Sequence, residues 1–458
     1  MHNKTKFFVR YILAPLGGIA TLYSALSSSD HLNQNSPVEN QPKVPLIEEK
    51  QQVEGEIVKT PPQHQECPPQ EFLVFASEGY DSKKLFSQKT SFSLLQDFEY
   101  LEASRIKACI HDLEALVKDE TVEFFVNYCG SKEGEREFPR FLYVRDDDND
   151  PIPKLEGYWA HKSTHAEIPA RKRLTGTTVR IGILDSGVHQ NVPQFSKQIK
   201  GFHDFVYEKK ETYDDHGHGT FVIGIITKVV PTSDILVYKI HDREGLNYIT
   251  DVLEGLNQVM ADNLDVINNS WGLSEVSELE GMTWTDGNRI LAEAVERVSK
   301  KGTIIVASAG NGSFYGTFND YNSTFATMQL PDGSPYAISV GATDVKGEIA
   351  DFSDLDAHIF APGDLVYSTK NAKEHQLWSG TSFSAPFVTA AVAVIQDYAK
   401  KNVYSFSQEE ILQILERSAT NQSSTLVFFD GKELPHHFKA LDYRNLVAYL
   451  EENYPSSF

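Results

Sequence analysis

Cysteine is scarce in this chain of 458 residues, and Cys67, Cys109 and Cys129 all lie in its N-terminal third. With no cysteine after Cys129, a disulfide framework cannot organise the larger part of the chain, which must depend on a hydrophobic core. Cys109 and Cys129 can pair if the chain is exported, and free thiols fit the sequence equally well. Neither has an assignable histidine or basic partner, so neither is predicted to be a nucleophile.

Basic residues are in deficit. Lysine and arginine together number 42 against 64 aspartates and glutamates, which leaves a net charge of −22. Without a basic surplus, neither nucleic acid nor an anionic membrane surface is expected as the main partner. A hydrophobic fraction of 40% permits a sizeable core. The length suits one large domain with a smaller one.

Long apolar runs are lacking except at the N-terminus. Residues 11–26 are apolar, follow several basic residues and are interrupted by Pro15. Such a run is short for a spanning helix and indicates a signal peptide over 1–29, with an uncleaved membrane anchor as the alternative. We therefore expect an exported protein that contacts a membrane only if this segment is retained. Residues 30–70, rich in proline and polar residues, are predicted to be a disordered linker.

The next stretch, residues 71–130, predicts a small α+β domain. Phe72–Phe75, Tyr100–Ile110 and Val122–Val126 have strand patterns, and a helical pattern lies between the last two. A charged segment without hydrophobic period follows over 131–158 and is predicted to be a processing linker. Its acidic run is predicted to be a solvated linker and not a cation site.

From Val179 onward the pattern changes to buried strands that alternate with helices carrying one apolar face. This alternation predicts a doubly wound, mostly parallel α/β sheet flanked by helices. Ligands of such sheets bind beyond the carboxyl ends of the strands. Asp185, Ser270 and Asn311 each follow a predicted strand, so we expect them to converge on one site.

Two further polar residues precede apolar helices. His218 lies between two glycines, and Ser382 follows Gly380 and Thr381. A helix start offers free N–H groups and the positive end of the helix dipole, both of which stabilise a developing oxyanion. Either residue alone would be interpreted as a helix cap. Together with Asp185 they supply the nucleophile, base and orienting carboxylate that peptide hydrolysis needs.

Three blocks carry a family resemblance. Ile183–Gly187, His218–Thr220 and Gly380–Pro386 resemble the three signatures of the subtilisin-like serine proteases, in the same chain order. The resemblance covers roughly residues 159–448, and it places a peptidase domain of this fold over 159–458.

The resemblance implies a role for each motif residue. Asp185 would orient the base, His218 would be the general base, and Ser382 would be the nucleophile. Asn311 would donate from its side chain to the oxyanion, beside the backbone N–H of Ser382. The resemblance also implies that a peptide is held by strand addition, with these substrate-binding residues: Gly245, Leu246, Asn247, Ser270, Trp271, Gly272, Ala309 and Gly310.

The small domain resembles the inhibitory, ferredoxin-like propeptide of these proteases. This implies a zymogen whose own N-terminal domain is a partner and is released by self-cleavage between Cys129 and Asp150. No cofactor is implied as a requirement. The segment Ile226–Ile235 is shorter than the calcium-binding loop of many members, so calcium is possible but is not indicated at this loop. Phe221 and Phe387 stand where many members have histidine.

The sequence therefore predicts a secreted serine endopeptidase that cleaves polypeptides through an acyl-enzyme. A catalytically silent relative that binds peptides is the alternative, and an intact triad with Asn311 favours the enzyme. A carboxyl-type serine peptidase with glutamate as base is disfavoured because His218 is present.

Overall fold

A computed structural model describes residues 69–77, 79–87, 91–119, 121–127, 158–272, 284–312, 335–427 and 433–455. The predicted signal peptide, the disordered linker and the processing linker lie outside these residues, apart from the C-terminal ends of the two linkers. Within the described part of the chain, no helix is long and apolar enough to cross a membrane.

The small domain has four strands and two helices. They are β1 (Gln70–Ala76), α1 (Ser82–Ser87), β2 (Ser93–Phe98), β3 (Ala103–Ala108), α2 (Ile110–Lys118) and β4 (Val122–Asn127). The sheet order is β2-β3-β1-β4, with antiparallel neighbours. This βαββαβ arrangement is ferredoxin-like, as predicted. The sequence did not predict α1 or β2, because each is short and mixes polar with apolar residues.

Alternation along the strands gives the small sheet two apolar faces. On one face, Phe72 and Val74 pack with Leu113 of α2 in a core of their own. On the other face, Leu73 and Phe75 belong to a larger cluster that continues into the large domain. Cys109, at the start of α2, is disulfide-bonded to a partner outside the described residues.

The large domain alternates strands and helices along the chain. Its helices are α3 (Trp159–Ser163), α4 (Ile168–Arg171), α5 (His218–Val229), α6 (Ile249–Asp262), α7 (Trp284–Lys300), α8 (Thr381–Asn402), α9 (Gln408–Ser418) and α10 (Tyr443–Asn453). Its strands are β5 (Arg180–Asp185), β6 (Ile199–Asp204), β7 (Asp234–Lys239), β8 (Val266–Asn269), β9 (Ile304–Ser308), β10 (Ile338–Thr343), β11 (Ile359–Pro362), β12 (Val366–Thr369), β13 (His375–Trp378), β14 (Thr420–Val427) and β15 (Glu433–Ala440).

Nine of these strands form one sheet, in the order β14-β15-β11-β10-β9-β8-β5-β7-β6. All neighbours in it are parallel except β14 and β15, which form an antiparallel hairpin at the edge. The predicted doubly wound, mostly parallel sheet is therefore confirmed. The edge hairpin was not predicted, because β14 is a run of polar residues with no apolar alternation.

Helices cover both faces of this sheet. On one face α5 and α8 pack into a cluster that includes Phe221, Val388 and Val392. Helix α8 is apolar on all sides because it is buried between the sheet and the helices around it. On the other face α6 and α7 pack into the cluster shared with the small domain.

The small domain docks on α6 and α7. Arg297 of α7, whose side chain is 11% exposed, donates to the carbonyl oxygens of Leu101 and Ala76 and to the carboxylates of Glu102 and Glu123. It also pairs with Glu293 on its own helix. A buried guanidinium needs its donors satisfied. The small domain supplies four of these acceptors. The guanidinium of Arg297 would therefore lose most of its hydrogen-bond partners if the small domain were not docked.

A second polar contact fixes the same interface. The side-chain oxygen of Asn257, on α6, accepts hydrogen bonds from the backbone N–H groups of Tyr100 and Leu101, at 2.7 and 3.2 Å. These two N–H groups belong to a turn of 3₁₀ helix between β2 and β3. Without Asn257 they would have no partner within this turn.

Candidate active site

The site is built from Asp185, the last residue of β5. Strand β5 lies between β7 and β8, so Asp185 is at the carboxyl end of an interior strand, the third from the β6 edge of the sheet. Its side chain is fully buried, and the backbone N–H of Ser186 donates to Oδ1 at 2.7 Å.

Asp185 and His218 form a close pair. The Nδ1 atom of His218 is 2.8 Å from Oδ1 of Asp185 and 3.0 Å from Oδ2. Burial acts to raise the pKa of the Asp185 carboxyl, but the charge and hydrogen bond of His218 outweigh it, and the pKa lies below its usual range. An ionised Asp185 requires the proton of the imidazole on Nδ1, which leaves Nε2 free to act as a base.

The pKa of His218 is moved in the opposite direction. Burial acts to lower it, yet the nearby Asp185 carboxylate, by charge and by hydrogen bond, raises it above the ordinary 6.5. The two directions agree, since each partner stabilises the charged form of the other.

Local structure sets the position of His218. It is the first residue of α5, whose start is held by Asp214 through bonds to the backbone N–H groups of Gly217 and Thr220. A Cβ atom at Gly219 would lie 2.2 Å from the carbonyl oxygen of Gly187. Only glycine lets the helix approach β5 this closely, and this approach brings the imidazole to Asp185.

Ser382 is the second residue of α8 and is half-buried. Its Oγ donates to the carbonyl oxygen of Ser270 at 3.1 Å, and Ser270 Oγ donates to the carbonyl oxygen of Ser382 at 2.8 Å. In the described part of the chain, Ser382 Oγ has no direct hydrogen bond with His218, and the backbone N–H of Ser382 has no acceptor. That free N–H, in the first turn of a helix, is an oxyanion donor.

Asn311 lies beside the start of α8. Its Oδ1 accepts hydrogen bonds from the backbone N–H of Thr381 at 2.9 Å and from Thr381 Oγ1 at 3.0 Å. Because a backbone N–H can only donate, this bond assigns the amide orientation. Nδ2 has no acceptor among the described residues and is thereby left as the free donor, next to the residue that precedes Ser382 in the chain.

The predicted substrate-binding residues lie on three chain segments. In the first segment, Gly245–Asn247, the N–H of Leu246 donates to the side chain of Asp242 and its carbonyl oxygen accepts from the Asp242 N–H, which closes a tight turn. Asn247 is buried. Ser270 and Trp271 are also buried, so what they can offer a peptide is backbone. Gly245, Gly272 and Gly310 are half-buried, and Ala309 is buried with its N–H bonded to Val340.

Several residues that line the site were not predicted from the sequence to belong to it. Phe221 stacks on Trp378 at 4.8 Å between ring centroids, and Phe383 packs against both Phe221 and His218. His241 lies beside Asp185, with Nδ1 4.0 Å from Oδ1. His241 follows the carboxyl end of β7, so the strand-end rule that selected Asp185 could also have selected it.

Comparison with known proteins identifies the class. A family model described as the subtilase family matches residues 176–432, which is more than half of the 458 residues. The chain belongs to this family. It is a serine-type endopeptidase, and its substrates are polypeptides.

Individual relatives are distant. The alkaline protease of Shouchella clausii is 25% identical over 367 residues, covering 77% of this chain and 84% of the relative. Subtilisin BL of Lederbergia lenta is 28% identical over 284 residues, covering 60% of this chain and 95% of the relative. A crystal structure of a lanthipeptide protease superposes with a TM-score of 0.51 at 21% identity, covering 64% of this chain and 93% of that one, and shows a similar fold.

Proposed function

We propose that the chain hydrolyses peptide bonds through Ser382 as nucleophile, His218 as general base and Asp185 as the orienting carboxylate. The observation that carries this proposal is the approach of both Asp185 oxygens to His218 Nδ1, at 2.8 and 3.0 Å. This contact keeps the proton of the ring on Nδ1, so that Nε2 is free to take a proton from the nucleophile.

The proposed reaction has two halves. Ser382 Oγ attacks the scissile carbonyl carbon while its proton passes to His218 Nε2, and the oxygen that becomes negative is held by Asn311 Nδ2 and the Ser382 N–H. The C–N bond then breaks, His218 gives the proton to the leaving amine, and an acyl-enzyme remains. Water, deprotonated by His218 Nε2, attacks the acyl carbon. The bond from this carbon to Ser382 Oγ then breaks, His218 returns the proton to Oγ, and the acid is released.

Substrate binding would also prepare the nucleophile. A peptide that adds as a strand beside Ser270–Gly272 uses the carbonyl oxygens of that segment as acceptors. It would compete with Ser382 Oγ for the Ser270 oxygen, 3.1 Å away. Released from this bond, the hydroxyl can rotate about χ1 toward His218.

The roles are tested with a fluorophosphonate probe and a chromogenic peptide. Labelling and hydrolysis in the wild type, with both lost in Ser382→Ala, support the triad. A processed wild-type protein that is neither labelled nor active would instead make the chain a silent peptide-binding relative.

We further propose that the small domain inhibits the peptidase domain and is released by self-cleavage between Cys129 and Asp150. Its docking on α6 and α7 through Arg297 and Asn257 supports this. Wild type and Ser382→Ala are expressed side by side, and the products are sized and their N-termini sequenced. Cleavage in the wild type alone supports self-processing, whereas identical species from both would refute it.

Export is part of the same proposal. The N-terminal pattern of residues 1–29 and the disulfide at Cys109 support an oxidising compartment. Cell fractionation with N-terminal sequencing tests it. An intact N-terminus in the cytoplasmic fraction would contradict it, and an intact N-terminus in the membrane fraction would favour an anchor.

A further inference from the structure

A second histidine contacts the carboxylate that holds His218. His241, 5% exposed, has Nδ1 4.0 Å from Oδ1 of Asp185, the same oxygen that His218 approaches at 2.8 Å. Its backbone N–H also donates to the carbonyl oxygen of Asp185 at 3.4 Å. The ring is therefore anchored to the strand end that carries the carboxylate.

Asn247 determines the tautomer of this ring. Its Nδ2 lies 3.2 Å from His241 Nε2 and donates to the carbonyl oxygen of Gly272 at 3.3 Å. Turning the amide over would place two oxygens against each other at Gly272, so Nδ2 is the donor in both contacts. His241 Nε2 then accepts a hydrogen bond from Asn247 Nδ2, and the ring's own proton is on Nδ1, facing Asp185.

The ring is uncharged at neutral pH. Burial lowers the pKa of His241 to about 4, and the Asp185 carboxylate opposes this only in part. At 4.0 Å the contact with Asp185 is longer than a hydrogen bond, and it acts as an N–H dipole directed at a buried charge. In a site shielded from water such a contact is weakly screened.

We propose that His241 is a positioning residue, held by Asn247, which stabilises the Asp185 carboxylate and so links the substrate-binding segments to the catalytic base. The inference rests on the proposed triad. Asn247 and Gly272 belong to the two segments expected to hold the peptide, so a peptide that takes the Gly272 oxygen would change how Asn247 holds the ring.

The proposal predicts a change in the pH profile of kcat/KM. The Nδ1–H dipole of His241 offsets part of the negative charge of Asp185. Without this dipole, the full charge of Asp185 acts on His218 and raises the pKa of His218. Because neutral His218 is the active form, the acid limb moves to higher pH. We expect His241→Leu to shift this limb upward by roughly half a pH unit, and to lower the plateau by less than about tenfold.

His241→Asn is the matched variant. Its side-chain N–H₂ can occupy the place of Nδ1 and keep a donor toward Asp185. The acid limb of the kcat/KM profile should therefore lie at the same pH as in the wild type. Asn247→Ala frees the ring without removing it, and should shift the limb in the same direction but less. Trp271→Phe keeps His241 and Asn247 and changes the packing against the ring, whose centroid is 6.1 Å from that of Trp271. It is expected to alter KM and leave the limb in place.

The other titratable groups near the two histidines are the same in all these variants. They are Asp185, Asp214, Asp215, His216 and Lys239. Active-site titration with a fluorophosphonate normalises every profile to folded enzyme.

An unshifted limb in His241→Leu, or an equal shift in His241→Leu and His241→Asn, would overturn the proposal. If His241→Leu does not fold, an unshifted acid limb in Asn247→Ala would also overturn the proposal. Ser382→Ala distinguishes a failure of the positioning role of His241 from a failure of the proposed triad. If it abolishes activity while the His241 profiles match the wild type, the positioning role alone fails, and if it stays active the triad fails.

Discussion

Ser382 and Ser270 exchange hydrogen bonds, each hydroxyl donating to the carbonyl oxygen of the other residue, at 3.1 and 2.8 Å. The pair joins the start of α8 to the carboxyl end of β8. Ser270 Oγ also accepts from Asn268 Nδ2 at 2.8 Å, and Asn268 Oδ1 accepts from Thr389 Oγ1 at 2.8 Å. A chain of buried bonds therefore runs from the middle of α8 back to its first turn.

This chain predicts coupled stability effects. Ser270→Ala leaves the buried Nδ2 of Asn268 without its partner and should lower the free energy of unfolding by about 1–3 kcal/mol. Thr389→Val acts on the same Asn268, so the two changes should be non-additive by about 0.5 kcal/mol or more. Urea unfolding in the Ser382→Ala background, where self-digestion is removed, measures both. Strict additivity would show that the bonds are independent.

Asn311→Ala is expected to fold and to lose about two orders of magnitude or more in kcat, a magnitude taken from the same kind of donor in a subtilisin. The reason is that Nδ2 is the free donor once Oδ1 is bound by Thr381. Asn311→Asp keeps the acceptor for Thr381 and loses the donor, so it should be as stable as the wild type and equally impaired. Steady-state kinetics and thermal unfolding measure the two effects, and near-normal turnover in either variant would remove Asn311 from the oxyanion site.

Asp185→Asn tests the pH dependence of the base. The raised pKa of His218 places the acid limb of kcat/KM above 6.5 in the wild type. The amide removes the charge that raises this pKa and leaves the burial that lowers it, so the limb should move to lower pH. The plateau should fall by about four orders of magnitude, as in the corresponding change in trypsin. A limb that stays in place would mean that another group titrates.

Arg297→Gln is expected to loosen the small domain. The change removes the charged donor from two carbonyl oxygens and two carboxylates of the small domain. The carboxylates are 37% and 48% exposed and regain water, so the cost is about 2 kcal/mol and comes mainly from the carbonyl oxygens. Hydrogen exchange in the full chain carrying Ser382→Ala reads this directly. The amides of Tyr100 and Leu101, bound by Asn257, should exchange about thirtyfold faster or more, since about 1.4 kcal/mol is a factor of ten. Lys301→Gln, an exposed charge just beyond α7, is the control and should change nothing.

Calcium is not expected to be strictly required. Helix α5 ends at Val229 and β7 begins at Asp234, so the segment after the base helix is short. Among the described residues, no group of three or more histidines, cysteines or carboxylates is arranged to hold a metal ion. Peptide hydrolysis and thermal unfolding with a chelator, then with calcium added back, measure the dependence. Activity lost with the chelator and restored by calcium alone would contradict the prediction.

Strongly periodic elements were predictable from the sequence. The strands ending in Asp185, Asn269 and Ser308 are apolar and buried, and α6 has the apolar spacing of a one-faced helix. Strand β6 and the edge hairpin were not predictable, because edge strands bury less surface and can be polar.

The sequence by itself determined which residues could do chemistry, because strand ends and helix starts are local features. It marked Asp185, His218 and Ser382 through the apolar elements that flank them. Only the tertiary structure decided the contacts among distant segments. The amide orientation of Asn311, the approach of His241 to Asp185 and the acceptors of Arg297 all depend on how elements far apart in the chain pack together. Sheet order and helix packing arise from the collective burial of apolar surface, and no local pattern of residues encodes which polar groups that burial brings within hydrogen-bonding distance.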